Sequence, residues 1–535
     1  MKTIQKGTRP LALAALCVGL AALFTPAAIA HAASLTVNTL LDDTTNGDGL
    51  CTLREAITAA NNNANYNDCV ATGFGDDTII FSVSGTIALG SQLPNIQNAG
   101  TLTIDGAGQS MTISGNNAAR VFQVNYGATL NLQNLAVTNG NAPTGGGINN
   151  GGALNVTNCT FSGNSAPGSS GGALQNTSSG TATIANSTFS TNNASMGGGI
   201  ANFSALTIIG SAFSGNSASS TGGAVYNQSG SSTLTIINSA FSDNTATNDS
   251  GGISNSVGTL SVSNSAFSNN TARDAGGIRN HGTVTVANST FSGNRATDTN
   301  GSGGGILNHG TATVANSTFS SNTAGTTNGS GGGIRNYEAL TVTGSTFSSN
   351  SAISGGGINN YGGTLTITNS TFSSNSATYG GGIIHSSTGT VNVVNSTFSS
   401  NSATDSGGGI RNYGALTVGN TIIANSTAGG NCVGAITNGG NNLDDGATCG
   451  WGATNGSLSN TNPLLGALGN NGGPTQTMAL LAGSPAINGV IFNAPNGCPT
   501  TDQRGYTRSG LRDIGAYEYD GIPSTMKLFL PLILR

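Results

Sequence analysis

The feature that most constrains this chain is a unit that recurs from Gly145 to about Asn425 and reads, over residues 331–350, GGGIRNYEALTVTGSTFSSN. A glycine run leads to an aliphatic residue, a turn, a segment of alternating apolar and polar residues, and then Phe with Asn three positions on. The aromatic member falls at Phe161, Phe189, Phe213, Phe241, Phe267, Phe291, Phe319, Phe347, Phe372 and Phe398, a period of 24 to 28 residues. Unbroken copies at such a period are the mark of a stacked array, in which each unit buries its apolar face only against its neighbours.

Segments such as Leu340-Thr341-Val342 and Leu365-Thr366-Ile367 alternate with period two, so one face is buried and the other wet, as in strands and not helices. Short strands parted by Gly, Asn and Ser turns at near-constant spacing wind as one coil that stacks on the next. The expected fold is all-β: a single-stranded right-handed parallel β-helix of about eleven regular coils, with capping regions at both ends. Equivalent residues should sit about 4.8 Å apart along the axis, aligning interior ladders of Phe, of Leu and Val, and of Ile (Ile278, Ile306, Ile334, Ile358). The Asn after each Phe, as at Asn322, Asn350 and Asn375, should bridge backbone groups from coil to coil.

Composition admits two readings until the repeat is considered. Gly contributes 84 residues and charged residues only 7%, far below the roughly 25% of ordinary globular chains. Disordered chains lack regularly placed aliphatics and carry high net charge, which this one does not. Collagen is excluded because the glycines cluster in twos and threes.

Lys2, Lys6 and Arg9 precede an apolar run from Leu11 to Phe24 and small residues at Ala28, Ala30 and Ala32, the pattern of a secretory signal peptide, assigned to 1–32. Its removal takes three basic residues and no acidic one, leaving the mature chain more acidic than the −5 of the full sequence. Nucleic acid and anionic lipid are therefore not expected partners. A secreted or cell-surface monomer is expected, with no transmembrane span after cleavage.

The paired motifs G-G-[A/G]-[I/L/V] and F-x-x-N resemble the repeats of chlamydial polymorphic outer membrane proteins, which implies β-helical surface adhesins of pectin lyase-like architecture for residues 76–428, with the regular repeats at 145–425. The chain departs from that family after Asn425, where no series of ten-residue amphipathic strands suggests a translocating barrel. Residues 33–75, with Cys51-Thr52-Leu53-Arg54-Glu55-Ala56-Ile57, resemble the CSLREA domain. Thr52 and Glu55 make a helix-capping box there. Residues 429–520, with Gly483-Ser484-Pro485-Ala486-Ile487 and Asp513-Ile514-Gly515-Ala516-Tyr517-Glu518, resemble the choice-of-anchor Q domain, which implies a sorting-type tail at 521–535. Its Leu528–Arg535 stretch reads either as a docking signal or as an apolar strand packed on the cap. Six cysteines remain in an oxidising compartment, and Cys51 with Cys69 and Cys432 with Cys449, close in sequence and each within a cap, are expected disulfides. Cys159 stands where other repeats carry Ser. For Cys498 the last resemblance implies a partner just before Asp513, where this chain has Arg512.

Polysaccharide-cleaving β-helices need several carboxylates converging on one face. Between residues 145 and 425 the acidic residues are Asp243, Asp249, Asp274, Asp298, Glu338 and Asp405, mostly in variable turns. No catalytic residue is expected, and no cofactor. Calcium is the one metal considered: Asn46, Asp48 and Glu55 fit the later positions of a twelve-residue calcium loop whose first position is Thr44. An acidic turn accounts for the same residues. The remaining constellation is a stripe in which Arg279, Arg335 and Arg411 share one repeat slot, and His281, His309, Tyr337, Tyr361 and Tyr413 share the slot two residues on. Stacked coils align them outside the core, either as a glycan- or protein-binding platform or as a ladder that stabilises coil stacking.

Overall fold

The computed structural model describes residues 34–523, apart from 72, 74, 98 and 491–497; the signal peptide and the Leu528–Arg535 stretch lie outside the described residues. The chain is an all-β, right-handed parallel solenoid of about 14 turns. Four parallel sheets of 16, 15, 10 and 13 strands run along the axis, and each strand pairs with its counterparts one coil before and one coil after. In the first sheet Leu340 of Ala339–Thr343 lies between Ala312 and Leu365. Its apolar residues point inward and its threonines outward, as the period-two pattern requires.

Each corner has a residue-level cause. After the first-sheet strand comes a residue at left-handed φ, Asn in most coils (Asn316 at 49°, Asn369 at 48°) and Gly in two, Gly210 and Gly344, the conformation Asn and Gly reach most cheaply. A buried serine follows: Ser345 Oγ accepts from Ser317 N and donates to Thr343 O. The second-sheet strand, Thr346–Ser348 in this coil, then aims Phe347 into the core. The phenylalanine rings from Phe161 to Phe398 are fully buried and stack with centroids 4.5–4.8 Å apart. The last glycine of each run makes room for them: a Cβ on Gly333 would meet Phe347 Cδ1 at 2.9 Å and Gly357 O at 2.6 Å.

Two asparagine ladders satisfy the polar groups of the corners. One follows the phenylalanines, as read from the sequence. The other, absent from that reading, runs through the fourth sheet, where Asn280 Nδ2 donates to Asn308 Oδ1 at 2.8 Å and Asn308 Nδ2 to Asn336 Oδ1 at 2.7 Å.

The solenoid extends past the regular coils at both ends. Ser34–Val37, inside the region expected to be a cap, is the first strand of the 16-stranded sheet and pairs with Asp77–Phe81. Helix α1 (Leu53–Asn62) begins at a capping box in which Thr52 Oγ1 accepts from Glu55 N, and it buries Leu53, Ala56, Ile57, Ala59 and Ala60 against the coil end. Disulfides join Cys51 to Cys69 and Cys432 to Cys449, each with Cα atoms 4.8 Å apart. Trp451 belongs to the main core at the far end. Cys159 is buried and free, and Cys498 is free, its Sγ accepting from Asn395 Nδ2 at 3.1 Å.

The chain beyond Trp451 does more than close an end. It turns back along the outside of the second sheet, where outward-pointing hydroxyls and amides offer hydrogen bonds and are buried by it. Thr475 Oγ1 donates to Gly344 O at 2.8 Å, Asn369 Nδ2 to Thr501 O at 2.9 Å, Thr371 Oγ1 to Gln503 Oε1 at 2.6 Å, and Ala516 N to Thr397 Oγ1 at 3.1 Å. Arg508–Glu518 at 2.8 Å and Arg504–Asp502 at 2.7 Å are buried ion pairs that hold this strap together.

Candidate functional site

The fourth sheet is built of three-residue strands such as Ile334–Asn336, in which Ile and Asn face inward and the middle residue faces out. That geometry puts Arg279, Arg335 and Arg411 in one exterior row, but not side by side. Leu307 stands between the first two, and Asn359 and Ile384 between the second and third. Two residues on, His281, His309, Tyr337 and Tyr361 follow one another on consecutive coils. The His281–His309 and His309–Tyr337 rings stack at 4.6 and 4.3 Å, while Tyr361 is tilted by 53° against Tyr337 at 5.4 Å. Ser386 interrupts the row, so Tyr413 belongs to a separate cluster.

Stacking along the axis has a consequence for binding. Both faces of His309 are taken up by its neighbours and one face of Tyr337 by His309, while His281, at the end of the row, stacks on one face only and is exposed. Tyrosine ring area free for a ligand concentrates at Tyr361 and Tyr413, which are 49% and 61% exposed. Two of the guanidinium groups lie over rings: that of Arg335 sits 4.6 Å from the Tyr337 centroid and 5.6 Å from Tyr361. That of Arg411 lies 4.4 Å from Tyr379 and 5.0 Å from Tyr413. The Nε atoms of all three arginines are buried without a hydrogen-bond partner, as expected of planar groups pressed onto the coil. Asp249 pairs with Arg279, Asp405 with Arg411 at 2.9 Å, and Arg335 donates to Ser302 Oγ. Sequence reasoning missed Tyr379, because it occurs once, at the end of the third-sheet strand Ser376–Tyr379, and no periodic signal marks it.

Electrostatics keep the stack neutral. Burial, then the neighbouring His281, Arg279 and Arg335, push His309 down to about 4, and burial with Arg279 lowers His281. Burial also lowers Arg335 and raises Tyr337. The folded chain therefore leaves His309 neutral where the unfolded chain protonates it near pH 6.5, so the unfolded state binds more protons between those values and stability falls as pH falls through that window. The melting temperature should drop from pH 7 to pH 4.5, and His309→Tyr, the residue of other coils, should reduce that drop. An equal drop in the variant would remove His309 as its cause.

Carboxylates are sparse on this face. Asp249 and Asp274 adjoin in the third sheet, and Arg273 lies 3.7 Å from Asp274 and 3.8 Å from Asp298. Among the described residues no three His, Cys, Asp or Glu side chains converge to hold a metal. At the N-terminal loop, Glu55 is fully buried, with Oε2 accepting from Thr52 N at 3.1 Å and Oε1 from Asn67 Nδ2 at 2.7 Å. Asp48 Oδ1 accepts from Leu50 N at 2.9 Å, and Asn46 is exposed. The two carboxylates that the calcium spacing would bring together thus serve different turns.

The face's coil pattern matches a known one. Residues 158–177, 210–228 and 395–413 match the Chlamydia polymorphic membrane protein repeat. Each match runs from the corner before the Phe strand, through Asn and the glycine run, into the fourth sheet. No curated protein matches the chain. Six chains among solved structures do, including the crystal structure of pectate lyase Pel9A, at 12% identity and a TM-score of 0.25, covering 91% of this chain and 96% of that one.

Proposed function

We propose that the chain is an exported, surface-displayed β-helical rod with a structural and adhesive role and no catalytic activity. The observation that carries this reading is the uninterrupted stack of parallel coils whose outward positions are mainly Thr, Ser and Asn, with segments in three of them matching the polymorphic membrane protein repeat. About 14 turns at roughly 4.8 Å each make a rod on the order of 65 Å long, presenting the same uncharged hydroxyl and amide groups coil after coil. The signal-like residues 1–32 and the resemblance of 33–75 and 429–520 to the CSLREA and choice-of-anchor Q modules support export and display.

A second reading rests on the exposure of Tyr361 and Tyr413 beside Arg335 and Arg411: these rings are the part of the stripe free to stack on a sugar. One experiment addresses both. Antibody against the purified chain should label intact producing cells, and beads coated with the chain should adhere to host-cell or abiotic surfaces. Labelling only after lysis would sink the surface role. Release of the beads by a soluble glycan, lost when Tyr361 and Tyr413 are both changed to Ala, would replace a diffuse hydroxyl surface with the sugar-binding stripe.

A further inference from the structure

The outer row of the second sheet changes character along its length. Thr346, Thr371 and Thr397 are buried beneath the strap, as are Asn369, Asn395 and Asn420 at the corner beside them. Toward the N-terminus the same two rows are open. There the threonine position holds Ala212, Ala240 and Ala266 on three successive coils, between Thr188 and Thr290. An exposed strand position favours Thr over Ala, and the neighbouring coils carry Thr, so three alanines in succession depart from the rule of the repeat. They leave a shallow, open trough of about 470 Å³, lined by these methyl groups and by Asn238, Asn264 and Asn288, with no charged residue in its walls.

We propose that this trough is a docking site for an extended, uncharged polypeptide segment of a partner protein, laid along the helix axis. The molecule itself supplies the precedent. Two coils beyond Thr290, residues 475–476 and 501–503 lie across the same two rows and present backbone carbonyls to their donors: Thr346 Oγ1 donates to Gln476 O at 2.6 Å, and Asn369 Nδ2 to Thr501 O at 2.9 Å. A cavity of about 170 Å³, where Asn316, Gly344 and Asn369 face Thr501 and Gln503, lies where covered and open stretches meet. The rows that form the trough thus run on, from Asn288 to Asn316 on the next coil, into an established polypeptide interface, and its rim offers the same corner amides. Its floor differs in being apolar, which selects a small apolar side chain over the alanines. Three coils at about 4.8 Å accommodate roughly three to four extended residues on that floor. The neutral walls give a charged segment nothing to pair with, and burying its charge would be costly. This docking site does not depend on the surface role proposed above.

The test is an array of uncharged decapeptides permuting Thr, Gln, Ala, Val and Pro, together with a peptide copying residues 472–481, probed with the full purified chain. The decisive variant changes Ala212, Ala240 and Ala266 together to Thr, levelling the floor with the residue other coils already carry. It should fold with an unchanged or higher melting temperature and lose at least tenfold in affinity for the peptides bound by the unaltered chain. Ala240→Arg should lose binding as well. Absence of any bound peptide, or equal binding by the levelled variant, overturns the proposal. So does binding that appears only after residues 524–535 are removed, which would assign the trough to the chain itself.

Discussion

Replacing Phe291 by alanine is expected to destabilise the protein by about 3–5 kcal/mol, toward the upper end of that range. Phe291 is fully buried and stacks between Phe267 and Phe319 at 4.7 Å on each side. The wall it touches is the glycine run, where a Cβ on Gly277 would come within 3.1 Å of its ring. No side chain stands there to move into the space, and the backbone is held by ladder hydrogen bonds to both neighbouring coils. The cavity therefore stays open, which is the condition under which large-to-small changes cost most. Stability in a stacked array is a sum of unit and nearest-neighbour terms, so the damage should make a local seam. Denaturant unfolding followed by circular dichroism should show an earlier transition, broadened or split as the two halves lose their coupling. A loss under about 1 kcal/mol would mean that the coil collapses around the gap. Phe291→Leu, which keeps most of the volume, should cost clearly less.

The Phe ladder was legible in the sequence because every element that positions it is local and recurs: the period-two strand before it, the corner residue, and the glycine run after it. The same holds for the asparagines that follow each Phe. The ends were harder to read. Asp77–Phe81 falls inside the expected β-helix, but its partner Ser34–Val37 falls in the expected cap although it pairs as a regular coil strand; neither carries a glycine run or F-x-x-N, so counting motifs gives about eleven coils instead of about 14. The strap was hidden for a different reason. Its contacts join residues some 130 positions apart, as between Thr346 and Gln476, and no periodicity links them. For the stripe, repeat spacing placed the residues in their rows but could not show that the rings spend their faces on one another. That follows from side-chain rotation at the coil spacing. Glu55 shows two spacing rules competing for one carboxylate, since the capping box and the calcium loop both claim it. The box holds Glu55 because it forms with the adjacent helix turn, whereas the loop would need Asn46 and Asp48 to converge on Glu55 from another turn.

The largest loss is expected from Asn322→Asp, a change that preserves shape and reverses one hydrogen-bonding role. Asn322 is fully buried, and its amide has both donor and acceptor work. Nδ2 donates to Phe291 O at 3.0 Å and to Asn350 Oδ1 at 2.9 Å. Oδ1 accepts from Asn294 N at 3.1 Å and from Asn294 Nδ2 at 2.9 Å. Asn322→Ala leaves those partners unmet, at roughly 1–3 kcal/mol for each buried group. Asn322→Asp keeps the acceptor but sets a second oxygen against two acceptors, and at neutral pH it adds a buried charge with no cation in the ladder. The carboxyl answers by holding its proton, so its folded-state pKa rises above the unfolded value near 3.9. The unfolded state gives up that proton first, and the deficit grows as pH rises from the unfolded to the folded pKa. Measured against the unaltered chain at the same pH, the guanidinium midpoint of Asn322→Asp should therefore lie below that of Asn322→Ala at pH 7 and recover part of the difference at pH 4, where the protonated carboxyl again donates one bond. Equal midpoints for the two variants at pH 7, with no recovery in acid, would show that the ladder tolerates an acceptor in the donor's place and that the backbone sheets alone hold the coils in register.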